Sequence, residues 1–176
     1  MCPFFCNNAI AKDIENFTNP LKIPPFIPLN LAIKYEGWLD RRTIGFFTKY
    51  CDTIFNRYKD KVKYWMTFNE INFLRDYSTL GITEASKYDK QQQAIYHLLL
   101  GSAKAVTIGH SINPDFKIGF MIANILFYPE TCNPNDSMKE LLIGRDFKDF
   151  YYDVQCRGYY PSYKLKEMER NNFTLL

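Results

Sequence analysis

Residues 62–70, VKYWMTFNE, decide the fold of this chain. The stretch is short and rich in aromatic and β-branched residues, which predicts a buried strand. An amphipathic helix is predicted before it, over residues 43–58, from the stripe formed by Phe47, Cys51, Ile54 and Tyr58. The strand ends on the polar pair Asn69 and Glu70.

The pattern of helix and strand repeats downstream. Residues 71–89 have no clear period and predict a long loop, whereas residues 91–108 carry the apolar face of a second helix. Residues 117–127, KIGFMIANILF, are nearly all apolar, which favours a parallel strand covered on both faces. A third helix is expected to follow, with Asp136 as its N-cap and Met138, Leu141, Leu142, Phe147, Phe150 and Tyr151 as its apolar face.

Helix, strand, helix, strand, helix is the order of βα units in an α/β protein. Two parallel strands leave two unpaired edges, so we expect this sheet to belong to a larger one. The complete fold expected for such units is a (β/α)8 barrel, which typically takes about 250 residues. The fold class predicted is therefore α/β, a fragment of such a TIM barrel.

Composition excludes several other classes. The 176 residues carry a net charge of only +3, which does not indicate a nucleic-acid-binding protein. Aromatic residues make up 17% of the chain, which is enough for a substantial core. No apolar run approaches the roughly 18 residues of a membrane span, and no secretion signal is recognisable, so we expect a cytoplasmic protein. The five cysteines form no CxxC pair, and neither a metal nor another cofactor is expected.

The first residues differ from the rest. Residues 1–28 show neither helical nor strand periodicity and contain four prolines after residue 19, which predicts an irregular segment.

Glu70 is the first candidate for chemistry. Side chains at the carboxyl ends of barrel strands point into the mouth where catalysis takes place. Trp65 and Phe68 would shield the carboxylate from water, which favours the protonated form that a general acid needs. The alternative is a solvated carboxylate that merely begins a loop.

The string TFNEIN, residues 67–72, matches the acid/base motif of family 1 glycoside hydrolases, and the chain most resembles the bacterial 6-phospho-β-glucosidases of that family. The resemblance covers about residues 27–172 and includes the blocks at residues 35–42, 57–66, 112–119, 131–136, 153–155 and 157–161. Residues 1–26 resemble nothing in the family, and residues 173–176 form a tail. The matching part would extend from about the end of the third barrel strand to the helix after the fifth.

The resemblance implies a retaining β-glycosidase that cleaves phosphorylated β-glucosides with two carboxylates. It implies that Glu70 is the acid/base and that Asn69 hydrogen-bonds the 2-hydroxyl of the sugar. Adjacent strand residues point to opposite faces, so both can serve one site only if the strand bends or ends there.

Several family features are missing from the sequence. It contains no Glu-Asn-Gly string for the nucleophile and no phosphate-binding loop, and Pro24, Pro25 and Phe26 occupy the place of a sugar-binding histidine. One hypothesis is therefore the acid/base part of a 6-phospho-β-glucosidase, and a second is a truncated, non-catalytic remnant. A third is a module that completes a barrel with another polypeptide. Open strand edges also predict self-association.

Four other groups of residues are expected to be structural. Trp38 is expected to pack in the core, with an aromatic platform for sugar as the alternative. The pair Tyr159 and Tyr160 is expected in the core rather than on the rim of the site. His97 and His110 are expected to be ordinary helix or surface histidines. Residues 164–170 form a mixed charge run, which is typical of a solvated face.

Overall fold

A parallel three-stranded sheet lies at the centre of the fold in a computed structural model, which describes residues 21–22 and 27–175. The strands are β1 (Leu21–Lys22), β2 (Tyr64–Met66) and β3 (Lys117–Gly119), in the order β1-β2-β3. In the register of the sheet, Trp65 of β2 stands opposite Leu21 on one side and Ile118 on the other. The predicted parallel pairing of the two main strands is confirmed.

Seven α-helices are found in the described residues. They are α1 (Leu29–Tyr35), α2 (Arg42–Tyr58), α3 (Tyr77–Leu80), α4 (Tyr88–Ile112), α5 (Pro134–Gly144), α6 (Phe150–Arg157) and α7 (Ser162–Arg170). Single 3-10 turns occur at Gly37–Leu39 and Ile71–Phe73, and a π-helical turn at Arg145–Asp149 joins α5 to α6. The helices predicted over residues 43–58 and 91–108 are confirmed as α2 and α4, and α4 extends beyond the predicted limits.

Both predicted strands are longer than the observed ones. Regular pairing covers three residues of each, although single hydrogen bonds between the two segments continue as far as Ala123. Part of the apolar run after β3 lies at the surface: Ile125 and Leu126 are exposed. The expectation of a strand covered on both faces through residue 127 is therefore wrong.

The third predicted helix also differs. Its N-cap is Asn133 rather than Asp136, because the Asn133 side chain accepts the Asn135 N–H and Pro134 fits the first helical position. A π turn then interrupts the helix, and only its second half is buried, at Phe150 and Tyr151. The predicted apolar residues Met138, Leu141 and Leu142 are exposed. Three further helices, α1, α3 and α7, were not predicted, and α3 lies within residues 71–89, where the prediction of a continuous loop is therefore wrong.

Two residues of the predicted irregular segment form β1. Because Leu21 and Lys22 pair in parallel with β2, this point of the segment is part of the sheet. The prediction for the remainder of residues 1–26 lies outside the described residues.

The core consists of two clusters along the sheet. The amino-end cluster joins α2, α4 and the strands through Cys51, Phe55, Trp65, Ala105, Phe116 and Ile118. Gly109 allows α4 to approach β3 closely, since an added Cβ would lie 2.2 Å from the Ile118 Cδ1 atom. The carboxyl-end cluster surrounds the segment after β2 and includes Trp38, Phe68, Ile71, Leu98, Phe150 and Tyr151.

The outer edge of β3 carries no further strand among the described residues. An unpaired strand edge can pair with another chain, so self-association stays a prediction. None of the helices in residues 27–175 combines the length and apolar composition that crossing a membrane requires.

Candidate active site

Glu70 lies four residues after the end of β2, at the carboxyl end of the sheet. Beyond Met66 the segment still pairs with the chain after β3, because the Thr67 N–H donates to the Gly119 carbonyl at 3.0 Å. Met121 then donates its N–H to the Phe68 carbonyl at 3.1 Å and accepts the Ile71 N–H at 3.0 Å.

This last pair of hydrogen bonds contains an irregularity. In a regular parallel ladder, a residue that donates to the carbonyl of one residue accepts from the N–H two residues further on. Met121 instead bonds to Phe68 and to Ile71, which is three residues further on. The β2 side therefore holds one extra residue, as in a β-bulge.

Glu70 takes up this extra length. Its backbone is left-handed, with φ 47° and ψ 54°, a conformation that is uncommon for residues other than glycine. The alternation of side chains between the two faces of the sheet stops at Glu70. The bend that Asn69 and Glu70 would need in order to serve one site is therefore present. Asn69 is half-buried and Glu70 is exposed at this edge.

The expected aromatic shielding of Glu70 is not found. Trp65 and Phe68 are each 1% exposed, and both belong to the core. Trp65 packs against Phe55 at 4.8 Å between ring centroids, and Phe68 stacks on Phe47 at 4.9 Å. Both rings serve packing, because the Glu70 side chain lies at the surface while theirs are buried.

Two polar side chains that sequence reasoning missed support this edge. The Thr67 hydroxyl is buried and lies 2.8 Å from the Ser102 hydroxyl of α4. Asn72, which is fully buried, donates its Nδ2 group to the Ala123 carbonyl and accepts the Ala123 N–H on Oδ1, both at 3.0 Å. Both residues lie inside TFNEIN, but their partners are distant in sequence, so no local pattern could reveal them.

The expected solvated charge run contains a buried cation. The Lys164 side chain is 3% exposed, and its Nζ lies 2.8 Å from Glu167 and 3.5 Å from Asp146. The Lys164 Nζ also lies 5.3 Å from the centre of the Phe150 ring. Burial raises the pKa of the neighbouring Tyr151. Lys164 therefore holds α7 onto the core, and the prediction of a solvated face is wrong at this residue.

The two histidines are structural, as expected. His97 is buried in α4 and bonds through Nδ1 to the Trp38 carbonyl at 2.9 Å and through Nε2 to Gln93 at 2.9 Å. Burial lowers the pKa of His97, which favours the neutral ring. His110 bonds to the Phe116 carbonyl at 3.1 Å.

Trp38 and the pair of tyrosines have different outcomes. Trp38 is buried in the core as expected, whereas Tyr159 is 58% exposed and Tyr160 is only partly buried. The core prediction is wrong for Tyr159.

No cluster of three or more His, Cys, Asp or Glu side chains within the described part of the chain has a geometry suited to a metal ion. Cys51 belongs to the amino-end cluster, and burial raises the pKa of its thiol to about 12.

An apolar groove of about 420 Å³ lies away from Glu70. It runs between α4, β3 and the turn after α6, and its lining includes Leu99, Val106, Ile118 and Tyr159. The candidate site is thus an edge of the sheet, separate from this groove.

The model of glycosyl hydrolase family 1 matches residues 26–175. The chain belongs to glycosyl hydrolase family 1. A 6-phospho-β-glucosidase of Clostridium longisporum is 49% identical over 84% of this chain and 32% of its own length. The aryl-phospho-β-D-glucosidase BglA of Bacillus subtilis is 42% identical over 85% of this chain and 33% of its own. The chain thus spans about a third of the length of these curated relatives.

Solved structures of the family contain the fold of this chain as one part of a longer chain. A family 1 glycoside hydrolase of Thermotoga maritima superposes with a TM-score of 0.77 at 24% identity, over 95% of this chain and 39% of that chain. That protein is a (β/α)8 barrel, so this chain superposes on part of such a barrel, which agrees with the predicted fragment of a TIM barrel. The exact range of barrel strands assigned to residues 27–172 stays a prediction.

Proposed function

We propose that Glu70 is the acid/base carboxylate of a retaining phospho-β-glucosidase, and that this chain supplies the acid/base part of that enzyme. The observation that carries the proposal is the position of Glu70 in a family 1 chain: it is exposed at the carboxyl end of β2, in a left-handed bulge. Barrel enzymes carry their catalytic groups at this end of the sheet.

The chemistry follows from a carboxyl group at this position. Glu70 donates its proton to the glycosidic oxygen as the bond to the anomeric carbon breaks, while a second carboxylate, about 5–5.5 Å away, attacks that carbon. The Glu70 carboxylate then takes a proton from the water that hydrolyses the glycosyl-enzyme. Since Glu70 is exposed, the bound substrate itself would exclude water from it.

Asn69 is proposed to bind the sugar. Its half-buried side chain precedes Glu70 at the bend, where an amide can hydrogen-bond the 2-hydroxyl of the sugar being cleaved. Such a bond strengthens in the transition state of glycoside hydrolysis.

A phosphorylated β-glucoside is the proposed substrate class. This choice is supported by the names of the two relatives, a 6-phospho-β-glucosidase and an aryl-phospho-β-D-glucosidase. The sequence itself contains no recognisable phosphate-binding loop.

A non-catalytic role is the second candidate, and one observation favours it. A retaining mechanism needs two carboxylates, and the sequence contains no Glu-Asn-Gly string to supply the nucleophile. We therefore expect the purified chain alone to leave an aryl β-glucoside 6-phosphate intact. Hydrolysis that copurifies with the chain and disappears in Glu70→Gln would exclude this second candidate.

The catalytic proposal is tested in a chimera. Residues 27–172 replace the matching residues of the C. longisporum relative, which supplies the rest of the barrel. We expect Glu70→Gln to slow substrates with poor leaving groups by about 10²–10⁴-fold, because only these need a proton in the transition state. Substrates with good leaving groups should be affected far less in the glycosylation step.

Two variants complete the test. Glu36→Gln is the matched control, because Glu36 is also a left-handed glutamate but lies beside Lys90, away from β2. It should leave the leaving-group dependence unchanged. Asn69→Ala should slow all substrates alike. An equal effect of Glu70→Gln on good and poor leaving groups would contradict the assignment, and Glu70 would then be an ordinary loop carboxylate.

A further inference from the structure

Asn72 follows the bulge by two residues and is one of the few polar side chains that are completely buried. It lies in the 3-10 turn Ile71–Phe73, between the buried apolar residues Ile71 and Leu74. A buried amide in such surroundings has to find hydrogen-bond partners, because unpaired polar groups are costly there.

The Asn72 carboxamide satisfies both backbone groups of Ala123. It accepts the Ala123 N–H and donates to the Ala123 carbonyl, each at 3.0 Å. A neighbouring strand would normally make these two bonds. The backbone leaves the ladder after Ile71, where the Phe73 N–H donates to the Glu70 carbonyl within the 3-10 turn. The side chain of Asn72 therefore makes the contact to Ala123 that the backbone no longer makes.

The main chain of Asn72 is held from the opposite direction. Its carbonyl accepts the Arg75 Nε group at 3.0 Å, and Arg75 Nη2 donates to the Asp146 carbonyl, also at 3.0 Å. The turn after Glu70 is thereby fixed to the segment after β3 and to the π turn before α6.

These contacts bear directly on Glu70. A left-handed glutamate is strained, and such a conformation persists only where the surrounding structure imposes it. Met121 bonds to Phe68 and Ile71, the residues before and after the bulge, and the Asn72 side chain bonds to Ala123 just beyond it. We propose that Asn72 is a positioning residue: its carboxamide bond to Ala123 fixes the bulge that presents Glu70 at the edge of the sheet. The catalytic meaning of this inference rests on the proposed function of Glu70.

The test is a nuclear magnetic resonance experiment on the full chain, which needs no turnover. The readouts are the amide and 13Cα shifts of Glu70 and the hydrogen exchange of the Ile71 amide. In Asn72→Ala, we expect the Glu70 13Cα shift to lose its left-handed value and Ile71 exchange to accelerate by about tenfold or more. Thr43→Val is the matched control. Thr43 is also buried and donates to the Gly37 carbonyl at 2.6 Å, far from the bulge.

A conservative variant keeps the test decisive if Asn72→Ala does not fold. In Asn72→Asp, the introduced carboxylate still accepts the Ala123 N–H but repels the Ala123 carbonyl. Once protonated at low pH, it has an O–H that donates to this carbonyl. We therefore expect the Ile71 exchange protection, corrected for the intrinsic pH dependence of exchange, to recover on acidification in this variant alone.

Two outcomes would overturn the inference. One is an Asn72→Ala chain that is destabilised like Thr43→Val but keeps the wild-type shifts of Glu70 and Ile71, which would make Asn72 a packing residue. The other is an Asn72→Asp chain without acid recovery. Failure of the leaving-group test on Glu70→Gln would remove the catalytic role and leave these shifts unaffected, so the two failures are distinguishable.

Discussion

The chain is stabilised in a different way at each end of β2. At the amino end, Trp65 packs edge-on against Phe55 and lies 5.6 Å from Phe116, measured between ring centroids. At the carboxyl end, packing of Phe68 and Ile71 is supplemented by hydrogen bonds of Thr67 and Asn72 to residues distant in sequence. The packed end has ordinary strand geometry, whereas the hydrogen-bonded end contains a bulge with a left-handed glutamate. The comparison indicates that the amino end stabilises the sheet, whereas the carboxyl end adopts a backbone conformation that costs some stability.

Removing the central ring of the packed end should have the largest effect. We expect Trp65→Ala to lower the free energy of unfolding by about 3–5 kcal/mol, because it leaves a large cavity in the amino-end cluster. The measurement is urea denaturation of the full chain. Trp65→Phe is the control: it keeps a ring and removes an indole N–H that has no hydrogen-bond partner among the described residues. It should therefore cost much less, and equal losses in both variants would contradict the packing account.

Alkaline pH should weaken the same end. Burial raises the pKa of Cys51 to about 12, above the ordinary value of 9.0, so folding favours the neutral thiol. The stability from this group is fully present below pH 9 and is lost as the pH rises through 12. The free energy of unfolding of the wild type should fall more steeply over this range than that of Cys51→Ala. Parallel curves for the two chains would show that the thiol is not protected from ionisation.

A smaller effect is expected at the carboxyl end, where a hydrogen bond supplements the packing. Thr67→Val keeps the shape of the side chain but removes the hydroxyl that contacts Ser102 and the Gly119 carbonyl. We expect a loss of about 1 kcal/mol in the free energy of unfolding. Ser111→Ala, which removes an exposed hydroxyl at the end of α4, should change it by less than about 0.5 kcal/mol. A Thr67→Val chain as stable as the wild type would show that this contact does not hold the carboxyl end.

The smallest effect should have the opposite sign. Glu70→Gly removes the Cβ that makes the left-handed conformation unfavourable, although glycine also adds freedom to the unfolded chain. The net expectation is a gain of between 0 and about 1 kcal/mol in the free energy of unfolding, measured by the same denaturation. A clear loss would mean that the Glu70 side chain stabilises the fold, contrary to a role in chemistry alone.

How well the sequence predicted the structure also differs between regions. The helices α2 and α4 follow from apolar periodicity, and β2 and β3 follow from short runs of apolar, aromatic and β-branched residues. Cys51, Phe55 and Leu98 of the two helices are buried in the core. The ends of the strands do not follow from these sequence patterns, since the apolar run after β3 continues into exposed Ile125 and Leu126. An apolar pattern in the sequence shows which residues are apolar, but it does not show whether another segment covers them.

The candidate site rests on the motif and not on its physical surroundings. TFNEIN singled out Asn69 and Glu70, and the requirement for a bend between strand and site is met at Glu70. The expected shielding by Trp65 and Phe68 was wrong, because a side chain's neighbours depend on how the helices pack on the strand. The role of Asn72 depends on Ala123, which is 51 positions away, and no local pattern reports such a contact.

The most direct test of the central claim, that the carboxyl end of β2 carries the acid/base chemistry, is rescue by azide in the chimera that contains residues 27–172. In Glu70→Gly with a good leaving group, the glycosyl-enzyme forms, but no base remains to activate water. Azide needs no base and can attack the anomeric carbon from the space left by Glu70, releasing the nucleophilic carboxylate. We predict that azide restores turnover and gives a β-glucosyl azide 6-phosphate, whereas Glu36→Gly is neither impaired nor affected by azide. Absence of rescue and of the azide product, with an intact nucleophile, would contradict the account.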